Sequence, residues 1–221
     1  MTTPLLPQAF WFRLSAACPR IEGIPRTGKR LLDLPASCRL PQTALLDGQK
    51  PWAEVRVGWN AKGLAVAVEA EGTLGRLGST DAPENRYGLQ VWVDTRDTRD
   101  VSRATRFCHR FDADLVPGVG KSALGVTVKQ RPIARAVADA PLARLDLIAS
   151  TADKTKGGWR IELFLAAEAL NGFDAETNRR LGFAYHVFDP DRSDEFLGVG
   201  REFPVGENPS LWSTLELVEP S

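Results

Sequence analysis

The stretch that most constrains this chain is Glu54-Val55-Arg56-Val57-Gly58-Trp59, followed across Asn60-Ala61-Lys62-Gly63 by Leu64-Ala65-Val66-Ala67-Val68-Glu69-Ala70. Polar and apolar residues alternate in the first run, the period-2 sign of a half-buried strand. A strand points alternate side chains to the same side, so Val55, Val57 and Trp59 share one face. Two β-rich runs on either side of a short glycine-containing turn predict a hairpin.

The same signal recurs along the chain. Tyr87–Asp94 reads as a strand with Leu89, Val91 and Val93 on one face and Gln90 and Trp92 on the other. Thr105–Phe111, Gly125–Gln130, Ala143–Ser150, Trp159–Leu165, Leu181–Phe188 and Leu211–Val218 are further strands. Ala166–Leu170 reads as one helical turn stopped at Asn171-Gly172, a usual helix end. Residues 1–50 are irregular and rich in proline, which central strands exclude. Within them Phe10–Leu14 is a short aromatic strand, and Leu31–Leu34 an edge strand. Roughly nine or ten short strands between turn signals, with one or two short helical turns, predict an all-β, antiparallel β-sandwich of jelly-roll type. The length of 221 residues suits one domain spanning 1–221, with the proline-rich segment 1–45 packed on it.

Composition narrows the function classes. Lys plus Arg and Asp plus Glu both count 28, so the formal charge is zero. A balanced chain lacks the basic footprint of a nucleic-acid binder and the polybasic anchor that anionic lipid attracts. The start, Met1-Thr2-Thr3-Pro4-Leu5-Leu6-Pro7, has neither a charged n-region nor an unbroken apolar h-region, and no apolar run approaches the ~20 residues of a membrane span. Cys18, Cys38 and Cys108 read as buried reduced thiols. A cytoplasmic location is expected, with no nucleic-acid and no membrane partner.

Chemistry-bearing motifs are few. Pro117-Gly118-Val119-Gly120-Lys121-Ser122 resembles the end of a phosphate-binding loop, but Leu115 stands where that loop needs a glycine and a strand follows where it needs a helix. A glycine-rich hairpin loop is the plainer reading. Asp189-Pro190-Asp191-Arg192-Ser193-Asp194-Glu195 gathers carboxylates in one loop. Asp189, Asp191 and Asp194 are therefore candidate calcium ligands; a plain Asp/Pro turn is the alternative. Calcium is the one cofactor this sequence suggests. His109 and His186 read as structural histidines on sheet faces, and the alternating charges of Asp94–Asp100 as a solvated loop. No acid, base, nucleophile and metal converge, so an enzyme is not expected. Trp59 and Trp159 are in phase with apolar strand neighbours and read as core; Trp212 packs the last strand. Trp92 either stacks a polar ring in a shallow groove beside Gln90 or lies buried beneath residues 1–50.

Taken in order, several blocks resemble the family 9 carbohydrate-binding modules and their DOMON-like relatives: Leu46-Asp47-Gly48 ahead of Trp52, the Val55–Val68 hairpin, Tyr87–Asp94, Gly158–Leu163, Leu181–Asp189 and Trp212–Leu217. The resemblance runs from residue 46 to 218. It implies a jelly-roll sandwich, a non-catalytic role and a sugar gripped between two tryptophans. Where the family carries those tryptophans, this chain has Glu84-Asn85-Arg86 and Gly206-Glu207-Asn208-Pro209. Gln90 stands at the family's sugar-binding glutamate, and Arg106 and His109 lie near its binding arginine. The expectation is a non-enzymatic domain binding a sugar or other small polar ligand through Gln90, Trp92, Arg106 and His109. The alternative is an intracellular protein-interaction or scaffold domain, with residues 1–50 or a sheet edge recruiting a partner.

Overall fold

The computed structural model describes residues 6–28, 30–78, 85–118 and 124–220, and among these eleven strands form two sheets. They are β1 (Ser15–Pro19), β2 (Ala53–Asn60), β3 (Gly63–Glu71), β4 (Gly88–Asp94), β5 (Cys108–Pro117), β6 (Leu124–Arg131), β7 (Ile148–Lys154), β8 (Gly158–Ala166), β9 (Arg180–Phe188), β10 (Glu195–Phe196) and β11 (Ser213–Val218). The larger sheet runs β1-β11-β9-β4-β5-β6, with β10 beside β9; the smaller runs β2-β3-β8-β7. Every pairing is antiparallel except β1 with β11. Helical structure among the described residues is confined to 3-10 turns, none long and apolar enough to cross a membrane.

The predicted hairpin is β2–β3, in register from Ala53 opposite Ala70 to Asn60 opposite Gly63. Its turn is closed by Asn60, whose Oδ1 accepts the Lys62 N–H at 2.9 Å. Gly63 has φ +148°, and a Cβ there would sit 2.0 Å from the Leu165 carbonyl oxygen. Only glycine fits that approach without moving backbone.

Alternation then builds the core. Leu89, Val91, Val93, Phe111, Phe183, Tyr185 and Val187 of the larger sheet meet Val55, Val57, Val66, Val68, Trp159, Ile161 and Leu163 of the smaller, all fully or nearly fully buried. Burying such side chains contributes roughly 1.5–3 kcal/mol each; His109, in phase with Phe111 and Ala113, is buried on this same inward face.

Residues 20–40 form a strap over the outer face of the smaller sheet. Ile24, Leu31, Leu32, Leu34 and Cys38 pack on Ala65 and Phe164. The edge strand expected at Leu31–Leu34 is absent: the Leu31 and Leu32 N–H groups donate to the buried Glu162 carboxylate at 2.8 and 3.0 Å instead of to a strand. The strand expected at Phe10–Leu14 is likewise replaced, by a 3-10 turn at Gln8–Trp11 begun after Pro7. Expected strands at Thr105 and Ala143 start later, at Cys108 and Ile148, because turns close at Thr105–Cys108 and Arg144–Leu147. The glycine-rich stretch after Pro117 lies partly outside the described residues, at 119–123; it connects antiparallel partners, with Pro117 opposite Leu124.

The charge run after β4 is solvated at Arg96, Arg99 and Asp100 but anchored at Asp94 and Asp97. Asp94 is buried and accepts the Arg96 and Thr98 N–H groups at 2.9 and 2.7 Å. Burial raises its pKa against those donors. Asp97 accepts from Thr214 Oγ1 at 2.9 Å and pairs with Arg180 at 3.3 Å, fastening the end of β4 to β9 and β11.

Candidate functional site

The outward residues of β4, β5 and β9 line up in rows across the larger sheet. Gln90 lies between Asp112 and His186, and Trp92 between Arg110 and Ala184. These rows divide the outer face into a covered part and an open one.

The covered part centres on Trp92. It is 3% exposed, beneath Ala104, Ile133, Val199, Val205 and Trp212. Trp212 holds that cover in place by donating its indole N–H to the Val205 carbonyl at 2.7 Å. Burial of Trp92 was one of two expectations, but among the described residues its cover comes from these later segments and not from residues 1–50. Arg110 stands over the Trp92 ring at 5.6 Å and grips Asp112 with two hydrogen bonds of 2.9 and 3.0 Å.

The open part is a cleft of about 490 Å³ lined by Arg86, Gln90, His186, Phe188, Asp189, Pro190, Asp194 and Arg201. Its floor is a chain of polar contacts. Gln90 Oε1 lies 3.0 Å from His186 Nδ1, and His186 Nε2 lies 2.7 Å from Asp194 Oδ1. Arg201 then donates to the same carboxylate at 3.2 Å. The imidazole stacks on Phe196 with ring centroids 4.3 Å apart and planes 5° from parallel. Burial lowers the His186 pKa; the Asp194 hydrogen bond opposes this, and Arg201 and Arg110 add to it. A neutral imidazole donates from one nitrogen only. With Nε2–H given to Asp194, Nδ1 accepts from the Gln90 amide, whose two ends share one heavy-atom geometry. Burial pushes the Asp194 carboxyl up, but the contacts with His186 and Arg201 outweigh it and the group titrates below its usual range. On the rim, Arg86 donates to Asp114 at 2.9 Å and lies over Phe188 at 5.2 Å.

The four residues expected to form one site do not meet. Gln90 is in the cleft and Trp92 is sealed beside it. His109 projects from the opposite face, opposite Val93, into the core, fully buried and stacked on Phe111 with centroids 6.2 Å apart. Burial lowers its pKa to about 4; the nearby Asn171 backbone opposes the shift without closing a hydrogen bond of ordinary geometry. Arg106 sits on the exposed turn before β5, its guanidinium 5.2 Å from the Phe107 ring. A one-residue difference in strand parity separates His109 from Gln90.

The three carboxylates read as calcium ligands also diverge. Asp194 is taken by His186 and Arg201, Asp191 pairs with Arg76 at 2.9 Å, and Asp189 accepts the Asp191 N–H. Among the described residues no group of three or more His, Cys, Asp and Glu could hold a metal ion. The loop is the Asp/Pro turn, with its acids spent on cations and backbone.

His186, Arg201 and Arg86 were not foreseen as site residues, and Asp194 only as a calcium ligand. The parity of Leu181–Phe188 did place His186 outward of Tyr185 and Val187, but only the β4–β9 pairing sets it beside Gln90.

No family model matches the sequence, and no curated protein matches it. Solved structures do match in three dimensions, two of them as follows. One is a family 9 carbohydrate-binding module from Caldicellulosiruptor kristjanssonii in complex with cellotriose: 15% identity, 76% of each chain covered, TM-score 0.51. The other is a family 9 module from the same organism in complex with glucose: 15% identity, 76% of this chain and 78% of that one covered, TM-score 0.50. At that identity the likeness is one of architecture, and it agrees with the two-sheet topology: the chain has the β-sandwich fold of the family 9 carbohydrate-binding modules.

Proposed function

We propose that this chain is a non-catalytic binding domain that holds a sugar or similar small polyol in the cleft over Gln90 and His186. The observation that carries this reading is the Gln90–His186–Asp194–Arg201 chain at the floor of an open cleft of about 490 Å³. Few fixed polar groups in a concave site are what orient a small ligand. Gln90 also occupies the position at which the family resemblance places a sugar-binding glutamate, and the solved modules of like fold hold glucose and cellotriose.

The grip differs from an aromatic sandwich. Arg86, and not tryptophan, flanks the start of β4, and the neighbouring ring is Phe188, largely covered by the Arg86 guanidinium. Hydroxyl groups would be met by amide, guanidinium and carboxylate. Both imidazole nitrogens of His186 are engaged, so the ring positions its neighbours and has no free nitrogen with which to move a proton.

Titration calorimetry of the purified protein with mono- and disaccharides tests the reading. Saturable heat that disappears in Gln90→Ala is expected. The absence of heat from every sugar at millimolar concentration would overturn it.

A further inference from the structure

Three consecutive aromatics lie at the surface: Phe10 is 41% exposed, Trp11 71% and Phe12 46%. A single exposed apolar side chain is ordinary, but a contiguous patch of large ones marks a contact surface. The patch is fastened to the fold. Phe10 stacks on Phe203 at 4.8 Å and meets Trp11 edge-on at 5.9 Å. The Gln8 N–H donates to Asp47 Oδ1 at 2.9 Å, tying the aromatic turn to the Thr43–Asp47 turn, where Leu45 and Leu46 are exposed as well. A surface already ordered loses little entropy when a partner covers it.

Beside Trp11 lies a cavity of about 210 Å³, walled by residues 9–14 and lined also by Val199 and Leu211. Arg13, the charged member of that lining, is spent on the Arg99 carbonyl at 3.2 Å and on the Ser210 carbonyl. An apolar cavity of about 150 Å³ holds a benzene ring, so this one has room for an indole. The patch thus carries a large anchor and a hole of matching size side by side. Binding energy at protein interfaces concentrates in such anchors, tryptophan among the foremost, seated in pockets.

Charge and area decide what covers it. Residues 1–12 and 40–46 carry no charged side chain. Charges begin at the border, with Arg13, Asp47, Arg201 and Glu202, two of each sign. An acidic or basic partner finds no complementary field here, whereas a second copy of the patch meets the first without like-charge repulsion. The whole chain, with 28 acidic and 28 basic residues, adds no net repulsion between copies. Interface cores are rich in aromatics and poor in charge, and those of homodimers are the more apolar. At about 150–250 Å² per aromatic side chain, the exposed fractions of Phe10, Trp11 and Phe12 leave on the order of 300 Å² of ring surface, and the two leucines add to it. A stable interface covers about 800 Å² per partner, an apolar core within a polar rim. The patch has the size of that core.

We propose that the chain forms a two-fold homodimer through Phe10, Trp11 and Phe12, with Trp11 of each copy seated in the cavity beside residues 9–14 of the other. A two-fold interface requires that each copy offer both anchor and hole, and this patch does. The inference does not depend on what the Gln90 cleft holds.

The test is analytical ultracentrifugation of the full chain from micromolar to millimolar concentration. The wild-type protein is expected to sediment as a dimer that dissociates on dilution. Trp11→Ala is expected to weaken association by at least about thirtyfold, the effect of losing one buried anchor. Phe12→Lys sets like charges against each other across the two-fold axis and is expected to do the same. Both positions are exposed in the single chain, so the melting curves of the two variants at low concentration are expected to match the parent. Leu142→Ala, at an exposed leucine on the loop after β6, is expected to leave the dimer intact. A wild-type protein that stays monomeric at millimolar concentration would overturn the proposal, and the aromatic patch would then belong to a different partner. A dimer that survives both Trp11→Ala and Phe12→Lys, or one lost equally in Leu142→Ala, would overturn it by placing the interface elsewhere.

Discussion

His186 Nε2 and Asp194 Oδ1 are 2.7 Å apart, and this contact ties the loop after β9 to the floor of the sheet's outer face. The hydrogen bond and charge of Asp194 raise the histidine pKa against the lowering effect of burial. Asp194→Asn removes the charge and leaves the burial. The His186 titration is therefore expected to move to lower pH in that variant. The chain has only two histidines, so NMR of the ring protons resolves the shift. A titration that stays in place or moves upward would show that Asp194 does not face the ring in solution.

His109 gives a pH dependence of stability. Its folded pKa is about 4, below the ordinary histidine value of 6.5. The unfolded chain thus binds the proton more readily. Stability is full above pH 6.5, is lost as pH falls below it, and the loss is complete once pH passes the folded value near 4. The loss at pH 5 is about 2 kcal/mol. His109→Phe keeps a flat ring against Phe111 and cannot titrate. Urea unfolding at pH 7 and pH 5 is expected to show a smaller stability drop in the variant by that amount. Equal drops would mean that His109 is hydrated and not in the core.

Strand parity explains what could and could not be read from the sequence. The alternation at Glu54–Trp59 and Leu89–Val93 reports which residues leave water together, and the core follows from it directly. Pairing is a different kind of information. That His186 stands beside Gln90 depends on β9 meeting β4, a contact across 96 residues of chain, and no local pattern encodes it. His109 failed for a related reason. Its strand was read from Thr105 onward, but the phase that matters is set by the inward Phe111 and Ala113, and those place His109 in the core. Loop and strap contacts were hidden for a third reason. Leu31 and Leu32 look like strand residues, yet their N–H groups are satisfied by one side chain, Glu162.

That side chain gives the next prediction. Glu162 is 3% exposed and receives the Leu31 and Leu32 N–H groups and the Thr151 hydroxyl. Glu162→Ala leaves those buried donors without an acceptor. The expected loss is about 2–3 kcal/mol, the penalty for stranding buried polar groups. Limited proteolysis is expected to cut first between residues 20 and 40, since the carboxylate anchors that strap. A variant as stable as the parent, with the strap equally resistant, would show that the apolar cluster of Ile24, Leu32 and Cys38 suffices alone.

Trp92 separates a packing role from a binding role. If the ring stacked a ligand, any smaller ring would weaken binding; if it only fills the space beneath Val205 and Trp212, binding should follow the integrity of that packing. Trp92→Phe retains an apolar ring and removes the indole N–H, which has no partner among the described residues. A sugar held over Gln90 is therefore expected to bind it within about twofold of the parent, a change well under the 1.4 kcal/mol of a tenfold effect. Trp92→Ala opens a cavity at a position 3% exposed and is expected to cost about 3–5 kcal/mol of stability. Calorimetry on Trp92→Phe beside urea unfolding of Trp92→Ala distinguishes the two roles. Loss of binding in the folded phenylalanine variant would mean that the cover over Trp92 opens to admit the ligand, and the site would then extend beneath Val205.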